Sequence, residues 1–435
     1  MKKKILSLAA AVAMLGMFAS CSSDDPKSPT PNPDPDPDPV VVPGEDLTAK
    51  EYSGTSATVT MGDAPVAGQL VKFTPGTEPK LTIESEPINL SELIGGVVAQ
   101  SKADGDIMLP TPGLIPGSPS VTIPLTLTGE ADTCSFTGNT QTDYCTFNYT
   151  GAVGPNGVTL KISDVKLKNT SLAGKYNLNP YSDMNSHTIA RTVWKSEEGL
   201  ELFPGSGYKM PMGDLLSLAV VLPLIGEDED GNPQFSVCQM LQAALKSVTF
   251  AEDGNLTAEY AEILEDGSLS DQFTTSPVGI AQYVVRDDNT LLLFLNPQQI
   301  IANTLSKATD SGVNPNQVIE GLINYLLPMV ANGIPVNFGR ALEASYDEDY
   351  NLVTKPSEDP NSYSFYLGTE VLLPILKTVS PLLSDPSVIE MIMAEVKKDP
   401  EMADMADMLQ GMLMSLPGVI DTTSEVEIGI NFTRQ

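Results

Sequence analysis

The sequence predicts a β-rich α+β fold, built from twisted antiparallel sheets or barrels with several helices inserted in the C-terminal half. Short segments in which polar and apolar residues alternate recur along the chain, and this alternation is typical of half-buried β-strands. Segments with apolar residues three or four positions apart are concentrated in the second half, where they predict helices. Hydrophobic residues make up 41% of the chain, which is ample for a core.

The N-terminal segment has the composition of an export signal. Lys2, Lys3 and Lys4 precede an apolar run, Ile5–Phe18, that is too short to span a bilayer but suits the core of a signal peptide. The sequence Phe18-Ala19-Ser20-Cys21 resembles the bacterial lipoprotein box, which implies cleavage after residue 20 and acylation of Cys21. No later segment reaches the ~18 consecutive apolar residues of a spanning helix. The acyl chains on Cys21 are therefore the expected link to the membrane.

A linker follows the acylated cysteine and completes the segment 21–46. Ser22–Asp25 resembles the acidic signal that sends lipoproteins of Bacteroides-type bacteria to the cell surface; read alone, it is also the start of an acidic linker. Pro26–Pro43 alternates Pro with Asp, which disfavours helix and sheet and favours an extended stalk. We expect a lipid-anchored protein of the outer membrane, exposed on the cell surface.

The formal net charge of −32 limits the classes of partner. Phosphates and acidic lipid headgroups would be repelled, so nucleic acid is not expected as a partner. The simpler interpretation of the many acidic residues is that they solvate the exterior.

Two domains are predicted after the linker: a β domain over 47–170 and an α+β domain over 171–435. Alternating segments in the first domain predict about seven short strands, among them 69–73, 80–84 and 158–162. In the second domain, 248–260 and 281–295 predict hairpins, and 424–432 predicts a closing strand. Its predicted helices are Asp214–Leu224, Phe235–Lys246, Pro297–Ser306, Pro315–Ala331, Thr369–Leu383, Pro386–Lys398 and Met402–Leu416.

The domain openings and the closing strand carry a family resemblance. Glu51-Tyr52-Ser53-Gly54 and Leu172-Ala173-Gly174-Lys175-Tyr176 begin the two domains, and Thr249-Phe250 followed by Asp253–Ala258 forms the clearest hairpin. With the closing strand, these features resemble uncharacterised calycin-like lipoproteins of Bacteroides-type bacteria. The resemblance implies antiparallel sheets or calycin-like barrels with inserted helices, and it implies no active site.

Three cysteines follow the lipoprotein box. Cys134 and Cys145 flank CSFTGNTQTDYC; a hairpin centred near Asn139-Thr140 would place them opposite each other, in position for a disulfide in an oxidising compartment. The sequence leaves open whether they are bonded. Cys238 falls on an apolar helix face, where burial as a small hydrophobic residue is expected.

No catalytic, metal-binding or cofactor-binding signature is present. His187 is the only histidine, in a polar segment expected to be an exposed turn, so multi-histidine metal sites are excluded. GxSxG, HExxH, Walker A and GxGxxG motifs are absent. With Gly231 sixth in a calcium loop, the first and last positions would be Gly226 and Val237, which supply no side-chain ligand. We therefore expect no catalytic residue, no metal and no cofactor.

The apolar helices are the most informative feature for function. Pro315–Ala331 is apolar most of the way round. Met402–Leu416 carries a stripe rich in methionine, a side chain that adapts to irregular apolar shapes. These helices either cover a sheet as ordinary core or line a cavity for a lipid-like molecule. In the second case the expected lining residues are Leu322, Leu326, Met329, Met405, Leu409 and Met412.

Three function classes follow from these features. The first is non-catalytic binding of a hydrophobic small molecule by a surface-anchored lipoprotein. The alternative is a structural or accessory protein of an outer-membrane uptake or adhesion complex, with an outer-membrane protein as partner. A carboxylate-based hydrolase comes third, because the spacing of two carboxylates is a property of the fold and not of the sequence.

Overall fold

The N-terminal part of the folded chain is a sandwich of two β-sheets. The computed structural model describes residues 42–435 apart from 67, 90–107, 110, 184–185, 203–205, 224, 228–232, 265–268, 288, 297–331, 349–351 and 397–405. The signal peptide, Cys21, most of the linker and the predicted helices at 297–306 and 315–331 lie outside the described residues. The first strands are β1 Lys50–Tyr52, β2 Ala57–Met61, β3 Ala64–Val66, β4 Gln69–Thr74, β5 Lys80–Ser85, β6 Ile88–Asn89, β7 Met108–Leu109, β8 Ser120–Pro124, β9 Thr128–Gly129, β10 Cys134–Gln141, β11 Cys145–Gly154 and β12 Gly157–Leu167.

The two sandwich sheets bury one face each. One has the order β1-β4-β5-β8, and the other has the order β3-β2-β12-β11-β10-β9, antiparallel except for the parallel pair β2–β12. Every second residue is buried along β4 and over Val158–Ile162 of β12, as expected when two sheets face each other. The Tyr52 hydroxyl crosses between the sheets and donates a hydrogen bond to the Gly154 carbonyl at 2.8 Å.

Eight of the later strands close into an antiparallel barrel. Their order is β13-β21-β22-β24-β25-β26-β29-β30, and β30 returns to pair with β13 through Tyr176 opposite Arg434 and Leu178 opposite Phe432. The later strands are β13 Gly174–Leu178, β14 Tyr181–Asp183, β15 Ser186–His187, β16 Ala190–Ser196, β17 Leu200–Glu201, β18 Lys209–Met210, β19 Ile225–Glu227, β20 Pro233–Phe235, β21 Leu245–Phe250, β22 Asn255–Ile263, β23 Leu269–Thr275, β24 Ala281–Asp287, β25 Thr290–Leu295, β26 Ile334–Arg340, β27 Leu342–Tyr346, β28 Leu352–Pro356, β29 Ser362–Leu367 and β30 Thr423–Arg434. The predicted hairpins at 248–260 and 281–295 and the closing strand are confirmed.

Helices are inserted between barrel strands. The described ones are α1 Met212–Val221, α2 Val237–Ala244, α3 Thr369–Leu383, α4 Pro386–Val396 and α5 Ala406–Asp421. The predicted helix Thr369–Leu383 is confirmed with the same bounds. Helix α2 is shorter than predicted because Ser236 caps its start through the Gln239 amide and because Leu245 already belongs to β21. The helix predicted to end at Leu416 continues through Pro417 to Asp421.

The two ends of the barrel differ. At one end, which we call the closed end, short turns join β21 to β22 and β24 to β25, and the sandwich packs against them. Gly254 lies in the first of these turns with φ +87°, where a Cβ atom would come 2.7 Å from Pro116. The Leu167 amide of the sandwich donates to the Glu252 carbonyl at 2.8 Å. At the opposite, open end, the chain leaves the barrel for its long insertions, including 179–244 and 368–422.

The predicted boundary near residue 170 falls between β12 and β13, where the sandwich ends and the barrel begins. One cluster of buried residues nevertheless includes side chains of both parts, from Leu47 of the sandwich to Phe432 of the barrel. Whether the two parts fold independently stays a prediction.

Candidate functional site: the barrel interior

Aromatic rings that meet across the barrel identify its inward-facing residues. Phe250 on β21 stacks on Phe365 of β29 with ring centroids 5.0 Å apart, and Tyr176 on β13 contacts Phe365 edge-on at 5.5 Å. Since β29 is adjacent to neither β13 nor β21, these rings reach each other only through the interior. Alternation along each strand then assigns the remaining inward positions.

Apart from two arginines at the closed end, the inward-facing residues are aliphatic or aromatic. Those that the strand registers assign to the interior include Tyr176, Leu178, Val248, Phe250, Leu256, Ala258, Ala281, Tyr283, Val285, Leu291, Leu293, Leu295, Ile334, Val336, Phe338, Tyr363, Phe365, Leu367, Ile428, Ile430 and Phe432. The outward positions of β29 are more polar than its inward ones: they are Ser362, Ser364 and Tyr366. The interior is therefore an apolar lumen.

Along the lumen, a layer of buried residues near the closed end is followed by half-buried residues towards the open end. At the closed end a filled layer, which we call the floor, consists of Tyr176, Phe250, Tyr283, Leu291 and Phe432, all buried. One step towards the open end, Val248, Leu293, Val336, Phe365 and Ile430 are half-buried, and we call this level of the lumen the well. Ile428, one further step along β30, is 41% exposed. The lumen is thus filled near one end, and its side chains are partly exposed towards the other.

The polar groups of the floor are already paired. The Tyr176 hydroxyl donates to the Leu172 carbonyl, and the Tyr283 hydroxyl donates to the Ala251 carbonyl, each at 3.0 Å. Burial raises the pKa of Tyr176 to about 12, and it also raises the pKa of Tyr283. Both hydroxyls therefore stay neutral at physiological pH and have no proton left to donate to a ligand.

Two arginines lie in the inward register, both at the closed end: the exposed Arg340, which donates to the Glu358 carbonyl at 3.1 Å, and Arg434, which lies behind the floor. The Arg434 guanidinium lies 5.7 Å from the centre of the Tyr176 ring. It donates to the carbonyl oxygens of Ser171 and Ala173, the segment that leads into β13. Arg434 therefore closes the bottom of the barrel and is separated from the well by the floor residues.

Helices border the open end. Beyond the barrel, β16 and the first half of β30 continue the inner face, where Trp194 and Val426 pack against side chains of α1, α3 and α5. The Trp194 indole donates to the Thr423 hydroxyl at 2.8 Å, and the hydroxyls of Thr192 and Ser217 lie 2.6 Å apart. The mouth of the well therefore has one side fixed by packed helices.

The predicted lining residues fall in two groups. Met412 is half-buried in the cluster around Trp194, and Leu409 packs with Ile389 and Met393 between α4 and α5. The remaining four, Leu322, Leu326, Met329 and Met405, lie outside the described residues. The two described residues pack between helices beside the mouth, and a lining role for the set stays a prediction. Sequence reasoning missed the well itself, although the alternation in Ser362–Leu367 was a usable signal.

The structure corrects the prediction for Cys134 and Cys145. The turn lies at residues 142–144, because the Thr142 hydroxyl accepts the amides of Tyr144 and Cys145. Cys134 therefore faces Val153 across the hairpin, and both cysteines are free, buried thiols. Burial raises the pKa of Cys145 to about 12.

The other candidate sites in the described residues are a lone thiol, a lone histidine and a groove on α3. Cys238 is a free, buried thiol on α2, and burial raises its pKa to about 11. His187 lies on β15, which pairs with β14 and β27. Among the residues with described positions, no group of three or more His, Cys, Asp or Glu could hold a metal ion. One face of α3 bears an open groove of about 750 Å³ lined by Thr369, Glu370, Leu373, Pro374 and Lys377.

Comparison with known proteins gives no relative. No family model, no curated protein and no solved structure matches this chain. Of the helices that the structure describes, none has both the length and the apolar character needed to cross a membrane.

Proposed function

We propose that this protein is a lipoprotein of the outer membrane, anchored through Cys21, that binds an apolar, lipid-like molecule in its barrel without converting it. The observation that carries the proposal is the apolar lumen, whose side chains are buried at the floor and half-buried in the well. The closed eight-stranded antiparallel barrel supports the resemblance to calycin-like lipoproteins. Barrels of this size are just wide enough to be filled by side chains or to hold one small ligand.

The dimensions of the well fit a hydrocarbon chain of modest length. From Phe432 to Ile428 the strand advances four residues, or roughly 13 Å along its own direction and about 10 Å along a barrel axis tilted by ~40°. This depth holds roughly eight methylene groups, whose burial contributes roughly 6 kcal/mol before the cost of association. Micromolar affinity is therefore within reach if contacts at the mouth add to this burial.

Filling the well tests the binding proposal. Leu293→Trp places an indole in the half-buried part of the lumen, so bound lipid should be lost while the fold is retained. The matched control is Val353→Trp, which adds the same bulk at a site that is 42% exposed on β28. Lipids are extracted from the purified proteins and identified by mass spectrometry. Equal lipid content in both variants, or none in the unsubstituted protein after reloading with lipid extract, would refute binding in the well.

The anchor is tested separately. Metabolic labelling with a clickable fatty acid should mark the natural chain, and Cys21→Ser should abolish the label. The Cys238→Ser variant is the control, because that thiol is buried on α2. Surface exposure is measured by protease treatment of intact cells. A natural chain without label, or one protected from the protease, contradicts the proposed anchor or its surface location.

A further inference from the structure

We infer that the well selects uncharged chain lipids, such as long-chain alcohols and esters, over carboxylates of the same chain length. The inference rests on the proposed function and names the chemical class of its ligand. It depends on three features: the charge-free residues of the well, the pairing of the basic groups of β16 beside the mouth, and the negative charge of the whole protein.

The lining offers an anionic headgroup nothing to bind. The well residues Val248, Leu293, Val336, Phe365 and Ile430 carry neither a charge nor a hydrogen-bond donor. Below them, the tyrosine hydroxyls of the floor already donate to backbone carbonyls. A carboxylate drawn into this space would lose its hydration without gaining a partner, which strongly opposes binding. The two arginines of the inward register do not compensate, because both lie at the closed end. Arg434 donates to two carbonyl oxygens behind the floor, and Arg340 donates to the Glu358 carbonyl.

The basic groups of β16, the strand that borders the mouth, are also committed. The Arg191 guanidinium donates to a Glu427 oxygen through Nε at 2.9 Å and Nη2 at 2.6 Å, and it stacks on the Tyr366 ring at 4.0 Å. Lys195 pairs with Glu425 at 2.6 Å. Both occupy positions that alternate with Thr192 and Trp194, so both face away from the inner side of the strand. A carboxylate that stayed at the mouth would have to compete with protein carboxylates for these cations.

The overall field acts in the same direction. With a formal net charge of −32, the protein repels anions and slows their approach to the mouth. This contribution is screened by salt, whereas the desolvation of a headgroup inside the well is not. The two contributions can therefore be separated by varying ionic strength.

Three probes with one chain length provide the test: 1-decanol, decanoate and decylammonium. Their affinities for the delipidated full-length protein are measured by calorimetry at pH 7.5, in low salt and in 0.5 M NaCl. We expect decanol to bind at least tenfold more tightly than decanoate in both salts, and decanoate to gain affinity at a pH near its own pKa. Leu293→Trp should weaken decanol binding at least tenfold, and Val353→Trp should leave it unchanged.

The outcomes separate this inference from the proposed function. Decanoate binding as tightly as decanol, with both lost in Leu293→Trp, overturns the selectivity and keeps the well as a binding site. A preference that disappears in 0.5 M NaCl overturns the desolvation argument, because it then comes from the field alone. If none of the three probes binds, binding in the well is refuted, and the selectivity falls with it.

Discussion

Truncating Phe250 to alanine should destabilise the protein by about 3–5 kcal/mol, the usual cost of removing a buried aromatic ring. Phe250 is 4% exposed, and its ring contacts Tyr176 at 5.3 Å, Tyr283 at 4.9 Å and Phe365 at 5.0 Å. These partners lie on β13, β24 and β29, so the substitution removes contacts to three strands at once. Each ring pair adds about 0.5–1.5 kcal/mol beyond the area it buries. The closed barrel restrains its strands from collapsing into the gap, which places the expected cost in the upper half of the range.

Thermal and urea unfolding measure this loss. With an unfolding entropy of about 2 cal/mol/K per residue, a body of this size should lose about 4–6 °C in midpoint. The matched control is Phe273→Ala on β23, where the ring is 42% exposed and near Lys246, and where a change below about 1 kcal/mol is expected. If the two variants shift the midpoint equally, Phe250 does not belong to a packed floor and the division of the lumen is wrong.

Three further predictions concern thiols and charges. In the folded Cys21→Ser protein, the free, buried cysteines should not react with Ellman's reagent at pH 8. After unfolding without reductant, three thiols should react. A count of one reactive thiol would reveal a disulfide among Cys134, Cys145 and Cys238. Hydrogen bonds from Lys175 and Ser247 hold the pKa of Glu259 at about 2, below its ordinary value of 4.5. The stability that the Glu259 carboxylate contributes is therefore present above pH 4.5 and is lost as the pH falls to 2. Glu259→Gln should therefore flatten the acid branch of the stability curve measured by urea unfolding, and an unchanged curve would contradict the pairing. Arg191→Met leaves the 14%-exposed carboxylate of Glu427 unpaired and should lower the free energy of unfolding by about 3–5 kcal/mol. Removing the exposed Lys195–Glu425 pair should lower it by less than about 1 kcal/mol. Equal losses in urea unfolding would contradict the assignment of Arg191 and Glu427 as a buried pair.

Local patterns predicted the local elements of this fold. The Glu252-Asp253-Gly254 turn and the alternating residues on either side gave the β21–β22 hairpin, and the apolar spacing of Thr369–Leu383 gave α3 with the same bounds. The sequence predicts the turn between Cys134 and Cys145 at the wrong residues, because Gly138-Asn139 has the composition of a turn. The structure instead uses the Thr142 hydroxyl to hold the turn three residues later, and a short sequence does not show which side chain will cap it.

Non-local pairings were not predictable in the same way. Barrel closure depends on β13 meeting β30 through Tyr176 and Arg434, which are far apart in sequence, and the parallel pairing of β2 with β12 is equally remote. Without closure, the alternation of Tyr363, Phe365 and Leu367 predicts only a strand with one apolar face. The same side chains become the lining of a well only when the eighth strand meets the first. For this reason the sequence predicts lining residues on the apolar helices and not on the strands. The described residues of those helices pack beside the mouth.

The division of one lumen into floor and well favours ligand binding over a purely structural barrel. Leu291 and Leu293 lie on the same strand, two residues apart, and both face inward; yet Leu291 is 2% exposed and Leu293 is half-buried. A barrel that served only as a hydrophobic core would gain stability by filling the space around Leu293 as it fills the space around Leu291, because each buried methylene adds about 0.8 kcal/mol. Keeping an apolar surface unfilled has a cost in stability, and a bound hydrocarbon chain removes that cost. In the proposed function, the exposed side chain of Ile428 marks the side at which such a chain enters.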